Sequence, residues 1–184
     1  MSNRFAMASG RLIDISNFKE EDICLEDIAH HLAKIQRFNG SLPINATYSV
    51  AEHCINLYAY LEKSNYAPFM MVNALLHDAS EAYLSDVVSP VKSLLPDYVK
   101  LEQSIQAKIY KKYLKFDMIY DEWLSIYDKS ILIDEVETIM PYRLDLFKRE
   151  TGLEKLGCHI EYNNDPRTVK AVFLSICRKL KISD

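Results

Sequence analysis

Glycine and proline are scarce in this chain of 184 residues, at four and six, which argues against disorder and against a fold built on many tight turns. No uninterrupted apolar run of about 18 residues occurs, so no membrane-spanning helix is expected. The opening segment Met1-Ser2-Asn3-Arg4-Phe5-Ala6-Met7 lacks the apolar stretch of a secretory signal. Cysteine is present but never in close pairs: Cys24, Cys54, Cys158 and Cys177 are scattered. That excludes a zinc ribbon or a disulfide framework and leads to the expectation of reduced thiols in a cytoplasmic protein. Basic residues are not in excess either. With 22 Lys and Arg against 26 Asp and Glu the net charge is −4, so a long nucleic-acid duplex is not an expected partner. A small anion remains open wherever a few cations gather locally.

What is present is a chain with 49% hydrophobic residues, enough for one domain with a real core. The pattern is helical throughout, with no repeat or linker, and predicts an all-α, single-domain bundle over 1–184. Residues 1–21 read as an irregular arm with a turn at Ser9-Gly10, and 141–184 as a C-terminal packing segment. Leu25, Ile28, Ala29, Leu32 and Ile35 recur at helical spacing and predict a helix over 24–37, stopped by Asn39-Gly40. Ser49-Val50-Ala51-Glu52 is a capping box that opens a second helix. Pro68 suits the first turn of a third, which runs to His77. A short turn over 79–84, a long helix after Pro96-Asp97, another over 119–140, and a last one from Asp165-Pro166 complete the expected order.

Three of these helices carry polar residues on otherwise apolar faces. His53 lies three residues after Val50 and four before Leu57, on their inward face. A lone histidine there is more often a hydrogen-bonded core residue. The pair His77-Asp78, ending the apolar run Met70–Leu76, changes the balance. Adjacent helical residues point roughly 100° apart, so both reach one ion only if it sits at the helix end. On the helix over 119–140 two aspartates compete. Asp128 shares a face with Leu124, Ile131, Leu132, Glu135 and Ile139, whereas Asp134 lies with Tyr127, Ser130, Glu137 and Thr138 and reads as solvated. Periodicity selects Asp128, with Glu135 close in phase as a hydrogen-bonding neighbour or a structural residue. Two imidazoles and two carboxylates converging from three helices make a site for one divalent transition metal: zinc, cobalt, manganese or iron. Glu81, four residues after His77, is either a proton-transfer group of the same crevice or a surface carboxylate. His30, His31 and His159 read as structural or surface residues.

The order His53, His77-Asp78, Asp128 resembles the HD superfamily of metal-dependent phosphohydrolases. His77-Asp78-Ala79-Ser80-Glu81, Asp86 and Pro90-Val91-Lys92 are similar to the bacterial 5′-deoxynucleotidases. Glu26-Asp27-Ile28-Ala29-His30, Arg37-Phe38-Asn39-Gly40, Tyr48–His53 and Asp128…Glu135…Met140 are similar to a phage-associated branch that includes dATP triphosphohydrolases. The likeness spans roughly residues 9–140.

The resemblance implies an HD-type helical bundle in which His53, His77, Asp78 and Asp128 bind metal and Glu81, with Asp78, serves catalysis. It implies that Arg37 holds substrate phosphate, that Phe38 packs beside it, that Asp86 contacts the sugar, and that Pro90 and Lys92 line the pocket. Phe38 replaces a tryptophan of the deoxynucleotidases, which leaves base selectivity open. Lys92 reads equally as a phosphate contact and as a counter-charge to nearby carboxylates. The expected substrate is a small deoxynucleotide cut at its 5′ phosphoester, giving a deoxynucleoside with phosphate or triphosphate. An additional divalent ion carried by the substrate is allowed for, and a homo-oligomer is implied. Two rivals stand beside this reading. One is a non-catalytic nucleotide or metal sensor on the same scaffold. The other is a two-iron oxidative enzyme, against which the lack of histidine between Asp78 and Asp128 argues.

Overall fold

The computed structural model describes residues 3–114 and 122–184. The chain is all-α apart from one small hairpin. Its helices are α1 (Leu25–Leu32), α2 (Val50–Lys63), α3 (Pro68–Leu76), α4 (Glu81–Leu84), α5 (Ser89–Lys92), α6 (Pro96–Leu114), α7 (Glu122–Ile139), α8 (Leu144–Thr151) and α9 (Pro166–Lys179). Within the expected irregular arm, β1 (Arg4–Ala6) pairs antiparallel with β2 (Leu12–Asp14), Phe5 opposite Ile13. Ile13 drops into the core and anchors the hairpin. No helix among the described residues is long and apolar enough to cross a membrane.

Helix starts follow local chemistry. Ser49 accepts from the Glu52 amide while the Glu52 carboxylate accepts from the Ser49 amide at 2.7 Å, so both halves of the capping box form. Pro68 occupies the first turn of α3, and Asp165 accepts from the Arg167 amide at the start of α9. The first helix is shorter than its periodicity predicts. It ends at Leu32, and Ile35 and Gln36 turn instead to pair with the strand-like entry to α2: the Val50 amide donates to the Ile35 carbonyl at 3.0 Å, and the Arg37 amide to that of Tyr48 at 2.9 Å. Arg37 is thereby fixed beside the entry to the helix that carries His53. Of the helix expected over 119–140, residues 119–121 lie outside the described residues.

Two apolar clusters form the core. One gathers Ile28, Leu32, Leu75, Leu76, Ile105 and Phe173 between α1, α3, α6 and α9. The other gathers Tyr48, Leu57, Leu61, Ala74, Ile131 and Val136 between α2, α3 and α7. Fully burying a large aliphatic side chain contributes roughly 1.5–3 kcal/mol. Helices α2 and α3 give residues to both clusters, so the polar residues on them sit where the two meet.

Candidate metal centre

The break after α3 creates the site. The helix ends at Leu76, and His77 and Asp78 follow in the turn before α4. Such a break frees backbone groups. Gln106 of α6 takes up two: its amide oxygen accepts from the Ser80 amide at 2.9 Å, and its NH₂ donates to the Leu76 carbonyl at 2.8 Å. The turn is therefore held from outside, and neighbouring side chains can converge where a continuous helix would splay them.

His53 Nε2 lies 3.1 Å from His77 Nε2, 3.1 Å from Asp128 Oδ1 and 3.8 Å from Asp78 Oδ2. His77 Nε2 lies 3.3 Å from Asp78 Oδ2 and 3.5 Å from Asp128 Oδ1. His53, His77 and Asp128 form a group that could hold a metal ion, and Asp78 borders it. Atoms ~2.0–2.2 Å from a shared ion lie roughly 3.0–3.5 Å from one another, close to the spacing found.

The hydrogen bonds on the far side of each ring favour the same conclusion. His77 Nδ1 is 2.8 Å from the Ala74 carbonyl, and His53 Nδ1 is 2.5 Å from Glu135 Oε1. Both partners only accept, so each Nδ1 carries a hydrogen and each neutral ring turns a bare Nε2 inward. Two lone pairs at 3.1 Å, faced by two carboxylates, call for a cation between them. The titration tendencies show the same demand for positive charge within the cluster. Burial works against charge on both rings, and Arg37 adds to it at His53, yet Glu135 and Asp128 lift His53 above the ordinary histidine range. Asp78 and Asp128 help lift His77 well above it, also against burial. Burial likewise opposes charge on Asp128, but its bonds to the two histidines hold it well below the usual carboxylate range. The donor set thus fits a divalent metal. Cys54 Sγ is 3.9 Å from His77 Nδ1, the nitrogen already committed to Ala74, so the thiol approaches the wrong side of the ring.

Arg37 stands at the edge of the cluster. Its guanidinium lies 3.3 Å from Glu135 Oε2 and 3.7 Å from Asp78 Oδ2, and its Nε is buried without a partner. Beside it Phe38, Asn39 and Gly40 are all left-handed, at φ 57°, 53° and 66°. An aromatic residue rarely adopts this conformation, which costs on the order of 1–3 kcal/mol. The Phe38 ring packs edge-on against Phe147 and lies 5.6 Å from the guanidinium carbon.

Glu81 is buried at the start of α4, with one carboxylate oxygen lacking a partner. Burial first, then Asp78 and Asp86, holds its carboxyl well above the usual range, with Lys92 and Arg37 offsetting only part. Lys92 Nζ is 3.8 Å from Glu81 and 2.8 Å from Glu102. Asp86 is half-buried, and Pro90 is exposed in the first turn of α5.

Asp134 does not follow its expected solvated role. It is buried and accepts from the amides of Leu156, Gly157 and Cys158 at 2.7, 2.9 and 3.1 Å. The 156–158 segment closes over α7 at Asp134, while Thr138 on the same face stays exposed. Gln106 and Glu102 carry no local signal in the sequence, since only the packing of α6 brings them to the site. Two surface cavities lie elsewhere. One of about 240 Å³ between α2 and α9 is lined by Glu52, whose carboxylate is committed to Ser49 and Asn164. The other, of about 270 Å³, lies by His30 and Lys170.

No family model matches the chain. It is 41% identical over 105 residues to the uncharacterized protein YfdR of Escherichia coli, covering 57% of this chain and 55% of that protein. It is 36% identical over 110 residues to the uncharacterized protein RCAP_rcc00048 of Rhodobacter capsulatus, covering 58% and 56%. The chain thus spans about half the length of the curated relatives it matches.

Proposed function

We propose that this protein is a divalent-metal-dependent phosphohydrolase acting on deoxynucleotides at the 5′ phosphoester. The observation that carries the reading is the meeting of two inward-facing imidazole nitrogens with Asp78 and Asp128 beside a partly buried arginine whose Nε has no partner. A divalent ion, when bound, supplies Lewis acidity toward a phosphoryl oxygen and acidifies water. His53, His77, Asp78 and Asp128 would hold it.

The remaining steps belong to the chain. Arg37 offers its outer nitrogens to phosphate oxygens, a pairing favoured by planar geometry and permanent charge. The strained turn at Phe38 and Asn39 supports a role for this arginine beyond packing, because such strain persists where surrounding structure enforces it. Water bonds to phosphorus as the bond from phosphorus to O5′ breaks. The proton that water loses passes to a carboxylate of the cluster, Asp78. The departing O5′ takes a proton from Glu81, whose carboxyl burial holds well above the usual range. A monophosphate yields deoxynucleoside and phosphate, and a triphosphate yields deoxynucleoside and triphosphate, through the same bond cleavage.

The test is a panel of deoxynucleoside mono- and triphosphates of each base, with zinc, cobalt, manganese or iron(II), read by product chromatography. The account expects a free deoxynucleoside from at least one substrate. Nucleotide binding with no turnover on any of them would replace it with the sensor reading.

A further inference from the structure

We propose that Glu135 is a positioning residue that aligns the metal-binding and phosphate-binding halves of the site through one carboxylate. The inference rests on the metal-centre reading and adds to it a residue that is neither ligand nor substrate contact. Glu135 is fully buried on α7. Its Oε1 accepts from His53 Nδ1 at 2.5 Å and from the Tyr48 hydroxyl at 2.9 Å, while its Oε2 accepts from Arg37 at 3.3 Å. The Asn56 amide donates to the Tyr48 oxygen at 3.1 Å and to the Glu161 carbonyl at 2.9 Å, so the carboxylate is braced from behind.

Two consequences follow from this geometry. A histidine that donates from Nδ1 must present Nε2 bare, so Glu135 selects the tautomer that can bind an ion. The same carboxylate draws the Arg37 guanidinium toward the cluster edge, with one terminal nitrogen 3.7 Å from Asp78 Oδ2. A partly buried arginine, a tyrosine and a histidine all donating to one acceptor leave no place there for a neutral residue that brings its own donor.

The test uses the full chain, Mn²⁺ and nitrogen NMR of the histidine rings. Free Mn²⁺ is followed by electron paramagnetic resonance during titration of wild type, Glu135→Gln and Glu135→Asp. The tautomer of His53 is read in metal-free protein at alkaline pH. Wild type should bind Mn²⁺ and show hydrogen on Nδ1. Glu135→Gln should bind Mn²⁺ about 10- to 100-fold more weakly, the usual loss when the partner of a ligating histidine is removed. Its His53 should lose the fixed Nδ1–H form. Glu135→Asp keeps the charge and should recover part of the affinity. Equal affinity and an unchanged tautomer in Glu135→Gln would overturn the inference and leave the metal centre standing. Absence of Mn²⁺ binding in wild type would instead overturn the metal centre, and this inference with it. If Glu135→Gln does not fold, Glu135→Asp decides the question: wild-type affinity with the Nδ1–H no longer fixed would overturn the inference.

Discussion

Asp128 and Asp134, two carboxylates on one helix, show what decides a residue's role. Asp128 stands 3.1 Å from His53 Nε2, while Asp134 ties down three backbone amides of the 156–158 segment. Asp128→Asn should lose metal. Asp134→Asn should retain it and instead destabilise the fold by about 1–3 kcal/mol, because two acceptor oxygens serving three part-buried amides become one. Metal analysis and urea denaturation of both variants check this, and the reverse pattern of metal loss would contradict it. Periodicity along α7 selects Asp128, and the fold brings that residue to His53. It misreads Asp134 because helix phase cannot show that a distant segment closes over the second face. Glu81 belongs to the same scale. Glu81→Gln should keep full metal occupancy and lose on the order of 10²–10⁴-fold in turnover, the usual contribution of a placed acid–base group. Normal turnover per bound ion would remove it from the mechanism.

Elements explain why the site residues meet. Starts that depend on neighbouring residues are legible in sequence: the Ser49–Glu52 capping box, Pro68, and Asp165-Pro166 all open helices as their chemistry predicts. Features that depend on distant residues are not. The turn at His77-Asp78 needs Gln106, thirty residues away by way of the Leu76 carbonyl, and the early end of α1 needs the Tyr48–Val50 segment to pair with Ile35–Arg37. Asp184 is another distant partner. Its carboxylate accepts from the first amide of α1, Leu25, at 3.0 Å, and from Tyr113 at 2.6 Å and Lys112 at 3.2 Å on α6. Burial opposes its charge, but these three donors hold its pKa below the ordinary aspartate value. A carboxylate depressed in the folded state stabilises above its unfolded pKa of ~3.9 and loses that contribution as pH falls through the lower folded value. Asp184→Asn should therefore cost about 1 kcal/mol at neutral pH, as for the loss of a helix cap. The difference from wild type should stay constant down to about pH 5 and shrink below about pH 4. Urea denaturation of both proteins across that range measures it, and a gap that widens on acidification would contradict the assignment.

Over the whole molecule, the two apolar clusters share α2 and α3, and the polar site occupies their junction. This arrangement backs the buried histidines with packed side chains and leaves Asp78 and Asp128 partly exposed, which suits a preorganised site open to an ion. It also means that the ligands are held before any ion arrives, so chelation should remove function without unfolding the chain. A net charge of −4 is no obstacle to an anionic substrate, because Arg37 is placed at the cluster edge. The most direct test of the account is the rate of deoxynucleoside release by chelator-treated protein as manganese is added back, with wild type and His77→Ala measured side by side under equal helical content. The account predicts that chelation abolishes release, that manganese restores it in wild type, and that no concentration restores it in His77→Ala. Release that persists after chelation, or that returns equally in His77→Ala, would contradict it.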